Sequence, residues 1–348
     1  MKKLNFLLLC LSSSLIAMDG ETSSNLFYSG LPISAGQAPA IVSLSLRNED
    51  SWRFSFNAKF DEYQALADSL EIAFPSSFSN GFGSLLRVPV GEIVTLDNDY
   101  HPGFQIGFVL NTPYDTWDFG GEYLWYRGTS HAKAKGNSDI FYSSPIFVGP
   151  FNLLIGSLEA DWKLGIDLID FYLSRPYFSG NSLSFTPTLG LRGGWIRQHF
   201  NVTAANFLAS SNLTTADTNS RVWLIGPKTG LQTNYIVGYG FSIFGNLATS
   251  FLYTQYNALS LTLENHLDQV SYAKNNGLST FRSILDAGVG LNWGSKGAVK
   301  VNFNAAYNLS VFFSQNMERT LVSIAGGQQG TPGNLYLSGL TIGASVEF

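Results

Sequence analysis

The chain has 348 residues, of which only 13% are charged and 14% are aromatic, whereas soluble proteins carry about 25% charged residues. Its net charge of −5 disfavours nucleic acid as a partner. No apolar run approaches the roughly 18 residues of a membrane-spanning helix, which excludes a helical membrane protein. Low charge, many aromatic residues and 35 glycines are instead typical of an all-β transmembrane antiparallel β-barrel.

Residues 1–17 have the pattern of a secretory signal peptide. Lys2 and Lys3 precede an apolar stretch, and Ala17 is a small residue suited to the cleavage position. Cys10 raises the alternative of a lipoprotein, but leucines precede it where a lipid-attachment motif needs small residues. Cys10 is also the only cysteine, so we expect no disulfide and no cysteine-based metal site after cleavage.

The next part of the chain predicts a short arm and then the first strands. Residues 18–40 lack any period and indicate a periplasmic N-terminal arm, followed by a barrel domain over residues 41–348. Residues 41–46, 52–63 and 70–74 alternate as short strands. After a long loop, residues 104–111 and 117–126 form a clear hairpin with aromatic residues on one face and polar residues on the other.

The strongest alternation lies in residues 158–168. One face carries Leu158, Leu164 and other apolar residues, and the opposite face carries Glu159, Asp161, Lys163 and Asp167. A row of charges inside a soluble core would be very costly. We therefore expect the apolar row to face lipid and the charged row to face a water-filled lumen.

Later segments repeat this pattern, with short turns alternating with long loops. Long loops are predicted at residues 196–220 and 254–279, and short turns close the hairpins between them. Short periplasmic turns and long extracellular loops are typical of outer-membrane barrels. The sum is about twelve strands, with ten or fourteen as alternatives because the short strands at 41 and 70 are weak.

The last strand, from residue 336, has one apolar face and ends on an aromatic residue. Such strands typically close outer-membrane barrels and are read by the barrel assembly machinery. The candidate assembly signal comprises Tyr336, Leu340, Ile342, Val346 and Phe348.

The candidate functional residues are the charges predicted to line a pore. A pore selects solutes by its width and by the charges along it. Acids and bases are equal in number here, so we expect weak selectivity. The alternative is an internal salt-bridge network that only fills a narrow barrel. The candidates are Glu122, Glu159, Asp161, Lys163, Asp167, Arg192, Lys228, Arg282, Asp286 and Lys300.

Three segments resemble the Legionella-type major outer membrane proteins, a family of pore-forming proteins with relatives in Chlamydia-like bacteria. They are residues 56–74 (FNAKFDEYQALADSLEIAF), residues 97–128, which begin DNDYHPGF, and residues 223–253, which contain GPK and GFSIFG. The resemblance implies a porin and covers about a quarter of the chain. Tyr63-Gln64 departs from the aromatic pair that members often have at this place.

No motif predicts an enzyme, a cofactor or a metal site. Serine-hydrolase, zinc-protease and phosphate-loop signatures are missing from the sequence, and the four histidines fall in or beside predicted loops. We expect a porin of the bacterial outer membrane that lets small hydrophilic solutes diffuse passively. The alternative is a structural surface protein or adhesin that acts through its loops. Its expected partners are outer-membrane lipid, the assembly machinery and the solutes, and a homo-oligomer is left open.

Overall fold

The computed structural model describes residues 52–348 except 69, 71, 82–83, 114–116, 138, 148–153, 181, 209–210, 266, 268–269, 296–298 and 326–329. The predicted signal peptide, the arm at 18–40 and the strand at 41–46 lie outside the described residues. The boundaries of those segments therefore stay predictions.

Ten antiparallel strands close into a barrel, because the first strand, β1, pairs with the last, β15, in continuous register from Ser55↔Glu347 to Ala67↔Leu335. The strands, in their order around the barrel, are β1 (Arg53–Ala67), β4 (Tyr100–Asn111), β5 (Asp118–Lys135), β7 (Ile155–Ser174), β9 (Leu183–Asn206), β10 (Leu213–Gly238), β11 (Phe241–Asn265), β13 (Leu278–Gly294), β14 (Lys300–Asn316) and β15 (Gly333–Glu347). Closure leaves no sheet edge in lipid, where unpaired backbone groups would be very costly.

Short strands extend the sheet beyond this cylinder. β2 (Phe74–Gly81) pairs with β3 (Ser84–Pro89) and with β6 (Ile140–Ser143), and β12 (Val270–Lys274) pairs with β11. β8 (Tyr177–Ser179) pairs with β9 near the turn after β7. A helix, α1 (Glu318–Ala325), lies in the connection before β15 and packs against β12 and β11.

The barrel has ten strands in the described residues, not the favoured twelve; ten was one of the alternatives. The expected strand at 70–74 is not a barrel strand, because Ala73 forms only an isolated bridge to Val94 and Phe74 begins β2 outside the cylinder. With twelve strands, the segment 52–63 is expected to run down towards the periplasm, and the ten-stranded barrel reverses that direction. β1 is antiparallel to β15 and so runs from the turn end of the barrel towards the loop end.

Several strands are much longer than a membrane crossing requires. β9, β10 and β11 have 24, 26 and 25 residues, whereas about 9–11 residues span a bilayer. The loops expected at 196–220 and 254–279 are therefore largely strand. These strands carry the barrel well beyond the lipid at the loop end.

The barrel has opposite polarity in its two halves. Towards the turns, large apolar side chains such as Leu191, Phe251 and Ile342 are exposed on the outer face. Towards the loops, apolar side chains such as Trp162 and Leu261 are buried in the interior. The half near the turns is thus suited to a lipid exterior, and the half near the loops is suited to a water exterior. No helix in the described part of the chain is long and apolar enough to cross a bilayer.

Candidate functional site

The interior face can be assigned from ion pairs that reach across the barrel. Arg192 on β9 contacts Asp286 on β13 at 2.6 Å (Nη1 to Oδ2), although β10 and β11 lie between these strands in the sheet. Such a contact can only pass through the interior. In an antiparallel pair, directly opposite residues point to the same face, so the register of Asp170 with Arg192 also places Asp170 inside.

These residues belong to an ionic belt inside the membrane-level half of the barrel. Arg192 binds both carboxylate oxygens of Asp170 at 2.7 and 2.8 Å, and Lys228 Nζ contacts Asp170 at 2.6 Å. Planar two-bond pairing of this kind is the strongest form of Arg–carboxylate contact. The belt consists of Lys59, Glu122, Asp170, Arg192, Lys228 and Asp286.

The other side of the belt is built from β1, β4 and β5. Lys59 forms an ion pair with Glu122 and donates a hydrogen bond to Gln105 at 3.1 Å. Asp61 accepts a hydrogen bond of 2.6 Å from Thr341. Because buried charges need partners to offset lost hydration, these contacts stabilise polar groups at a depth where the outside is lipid.

Water reaches the interior from the turn end. Gln232 and Asn246 are opposite each other in register on the interior face, and both are exposed. Nearer the turns, Glu347 contacts Arg53 at 3.1 Å and Lys300 at 3.2 Å. We call this polar region the vestibule.

An apolar layer lies directly above the belt, on its loop side. On six strands (β7, β10, β11, β13, β14 and β15), an interior residue on the loop side of the belt is a large apolar side chain that is at most 5% exposed. The layer consists of Leu168, Leu224, Leu252, Ile284, Phe312 and Leu337. It continues into the packed core of the loop-end half, so the interior is polar below and closed by apolar side chains above.

Six of the ten candidate pore-lining residues lie on the interior face. Glu122, Arg192, Lys228 and Asp286 belong to the ionic belt, and Lys300 lies in the vestibule. Arg282 is placed higher, where its Nη2 lies 3.6 Å from the sulfur of Met317. The structure therefore gathers most of the predicted lumen charges inside the barrel.

The four candidates on β7 lie on the outer face, which corrects the expected phase of this strand. Glu159, Asp161, Lys163 and Asp167 are an even number of positions from the exposed Phe171 and so share its face. Glu159 pairs with Lys133, and Asp161 pairs with His131, in the direct register of β5 and β7. The opposite row, including Leu164, is buried in the interior core.

The sequence reasoning missed Lys59 and Asp170 as interior charges. Lys59 lies between exposed Phe56 and Phe60 in an alternating strand, so its phase was readable from the sequence. Asp170 lies in the same row as Leu168. Following the alternation past residue 168 would have revealed a charge in the row assigned to lipid.

The candidate assembly residues occupy one face of β15. Leu340, Ile342 and Phe348 are 57%, 66% and 67% exposed, and the register places Tyr336 and Val346 on the same outer face. The strand closes the barrel through β1 and β14. Its recognition by an assembly machinery stays a proposal.

The histidines are expected in or beside long loops, whereas the described ones lie in strands. His101, His131 and His199 lie in strands, and His266 lies outside the described residues. His199 Nε2 lies 3.5 Å from Asp217 on the outer face. Among the described residues, no group of three or more His, Cys, Asp or Glu side chains is arranged to hold a metal ion.

Comparisons with solved structures give outer-membrane barrels. The Escherichia coli outer membrane protease OmpT aligns over 86% of this chain and 97% of its own, with 10% identity and a TM-score of 0.40. A major outer membrane protein from Thermus thermophilus aligns over 86% and 100%, with 12% identity and a TM-score of 0.32. The Pseudomonas putida toluene transporter TodX aligns over 90% and 95%, with 8% identity and a TM-score of 0.26. Similarities this weak carry no conclusion about activity.

Comparison with curated proteins found no match. A family model, described as Legionella pneumophila major outer membrane protein precursor, matches residues 47–348. This match covers most of the chain and agrees with a closed barrel that has an apolar outer band. The chain is therefore an outer-membrane β-barrel in contact with membrane lipid, and it belongs to the family of the Legionella pneumophila major outer membrane protein.

Proposed function

We propose that the protein is an outer-membrane porin for small hydrophilic solutes, with a permeation path that the apolar layer closes at rest. The observation that carries the proposal is the ionic belt, which lines the interior at membrane depth and is reached by water through the vestibule. A barrel that only needed a filled interior could use apolar packing, which avoids the cost of desolvating charges.

The apolar layer is the gate of this proposed path. Hydrophobic constrictions close channels by excluding water, and small movements of their side chains or backbone readmit it. Leu224, Leu252 and Phe312 are at most 2% exposed, so the interior is dry at this level. We therefore expect low and intermittent conductance, not the steady current of a wide porin.

Selectivity should be weak, because cations and acids are equal in number within the belt. Reversing one of these charges should shift the ion selectivity. Asp286 is 21% exposed and faces the interior beside Arg192, so Asp286→Lys should favour anions relative to the unmodified protein.

The experiment is single-channel recording of the refolded protein in planar bilayers. A Leu224→Ser/Leu252→Ser variant should conduct more and stay open longer, because hydroxyl groups let water enter the layer. Leu285→Ala on the outer face of β13 serves as the control and should leave conductance unchanged. Heat-modifiable migration on gels must first show that every variant is a closed barrel.

A structural surface protein or adhesin is the second candidate. The specific observation in its favour is the loop-end half, in which strands of 24 to 26 residues raise the loops above the lipid around a packed apolar core. Absence of channel activity from both the unmodified protein and the serine variant would reject the porin and leave this function. Neither candidate assigns catalysis to the chain, so we propose that it is not an enzyme.

A further inference from the structure

We propose that the outer wall of β5, β7, β9 and β10 binds the phosphate groups of a phosphorylated glycolipid in the outer leaflet. The site is a row of cations just beyond the lipid-facing band. It comprises Arg127, Arg197 and Arg221, together with Lys163, which occupies the next outward-facing position of β7 towards the loops. We call it the cation row. The proposal is independent of solute transport.

The register brings these side chains together. Arg127 is directly opposite Gly165, Gly165 is opposite Arg197, and Arg197 is opposite Arg221. Neighbouring strands lie about 4.8 Å apart, so the three guanidinium groups extend over four adjacent strands. All three share the outer face with Trp195, which is 49% exposed.

The depth of the row matches the lipid headgroups. The next outward row towards the turns contains Trp125, Trp195 and Trp223, which are in register through Asp167. Tryptophans gather at membrane–water interfaces. Below them the outer face is apolar, with Leu191, Ile225 and Phe171 exposed. The cation row therefore begins where the hydrocarbon ends, on the side of the long loops and hence of the outer leaflet.

The charges in the row are not balanced by the protein. Asp167 is shared by two arginines, at 2.8 Å from Arg127 and 3.2 Å from Arg197. Within the described parts of the chain, Arg221 and Lys163 have no ion-pair partner. This local excess of positive charge stands on a chain whose net charge is −5.

Two features suit the row to an anion that bridges strands. Arg197 and Arg221 are directly opposite each other, and like charges in this position are destabilising unless an anion lies between them. Gly165 leaves room for the Arg127 side chain, since a Cβ there would lie 3.2 Å from Arg127 Cδ. Arginine binds phosphate through two parallel hydrogen bonds, which favours phosphate over other anions.

The test is lipid binding by the full-length protein in phosphatidylcholine nanodiscs, measured by native mass spectrometry. The probe is bisphosphorylated lipid A, compared with dephosphorylated lipid A, phosphatidylglycerol and inorganic phosphate as competitors. We expect the phosphorylated glycolipid to bind about tenfold or more tightly than the dephosphorylated form. A Lys163→Gln/Arg197→Gln/Arg221→Gln variant should lose this preference, and Arg221→Gln alone should weaken it.

The matched control is Arg175→Gln, which removes a cation after the end of β7, at the turn end of the barrel and on the opposite side of the membrane from the row. It should bind like the unmodified protein. The proposal is overturned if the folded triple variant keeps its preference, if phosphatidylglycerol binds as tightly as the glycolipid, or if inorganic phosphate displaces the lipid completely. Unchanged binding by Arg221→Gln in a case where the triple variant does not fold would also overturn it.

Discussion

Arg192 and Asp286 meet across the inside of the barrel at 2.6 Å, although two strands separate them in the sheet. Arg192 also binds Asp170 through two hydrogen bonds, so one guanidinium group joins β7, β9 and β13. Its side chain is only 6% exposed. It therefore holds together carboxylates that would otherwise repel each other at membrane depth.

Removing this side chain should strongly destabilise the barrel. Arg192→Ala leaves Asp170 with Lys228 alone and Asp286 without a cation, and breaking a buried pair costs about 3–5 kcal/mol. Arg192→Lys should lose less stability than Arg192→Ala, because lysine keeps the positive charge, although it cannot form the two parallel hydrogen bonds. The measurement is the temperature at which heat-modifiable migration is lost. Equal midpoints for Arg192→Ala and the unmodified protein would contradict this role.

The reversed phase of β7 can be tested by labelling. Lys163→Cys should react with a membrane-impermeant maleimide added to intact cells, because Lys163 is exposed on the outer face beyond the lipid band. Leu164→Cys should be protected, since Leu164 is 2% exposed in the interior core. Leu285→Cys, on the lipid-facing side of β13, provides the comparison and should also stay unlabelled. Labelling of Leu164→Cys but not Lys163→Cys would restore the phase first expected from the sequence.

The same strand explains how far the sequence could predict the structure. The barrel class, the alternation and the outward phase of β15 follow from a period of two that continues along each strand. The phase of β7 does not follow from this period, because the strand passes from the lipid-facing band to the water-facing half of the barrel between Phe171 and Lys163. The interior row then changes from polar to apolar while the period stays the same.

The change of polarity does leave a local signal in the sequence. Where the apolar face switches from outside to inside, two apolar residues become neighbours. Such pairs occur at nearly the same level on adjacent strands, at Leu168–Ile169, Trp195–Ile196, Leu224–Ile225, Phe251–Leu252 and Ile284–Leu285. The contacts of the ionic belt could not be predicted, because they join strands that are distant in the chain and depend on the barrel's strand number.

The helix in the last loop should respond to pH. Glu318 is buried at the start of α1, and burial, reinforced by nearby Asp217, raises its pKa to about 7, against a hydrogen bond with Thr218 that lowers it. The folded loop therefore keeps a proton that the opened loop releases between the ordinary carboxyl range and pH 7. Its stability should fall by about 1.4 kcal/mol per pH unit in that window.

Limited proteolysis of the α1 loop between pH 5 and pH 8 measures this effect. Cleavage should become faster as the pH rises, and Glu318→Gln should remove the dependence because an amide does not titrate. Asp139→Asn, on an exposed loop, controls for charge changes at the same end of the barrel. A pH dependence that persists in Glu318→Gln would assign the effect to another group.

The terminal strand should be required for closure, and its last residue for insertion. The backbone N–H of Phe348 donates to the carbonyl of Phe54 at 3.0 Å, but the Phe348 side chain is 67% exposed and packs little inside the protein. Deleting Phe348 should therefore lower the amount inserted in cells and leave the thermal midpoint of inserted molecules nearly unchanged. Ile342→Ala, which shortens an equally exposed side chain on the same face, is the control and should reduce insertion less.

Deleting residues 340–348 should abolish the barrel, because β1 and β14 would lose their shared partner over most of its length, and unpaired backbone groups in lipid cost several kcal/mol each. Heat-modifiable migration of the membrane fraction reports both outcomes, and a compact heat-modifiable species from the longer deletion would show that β15 does not close the barrel.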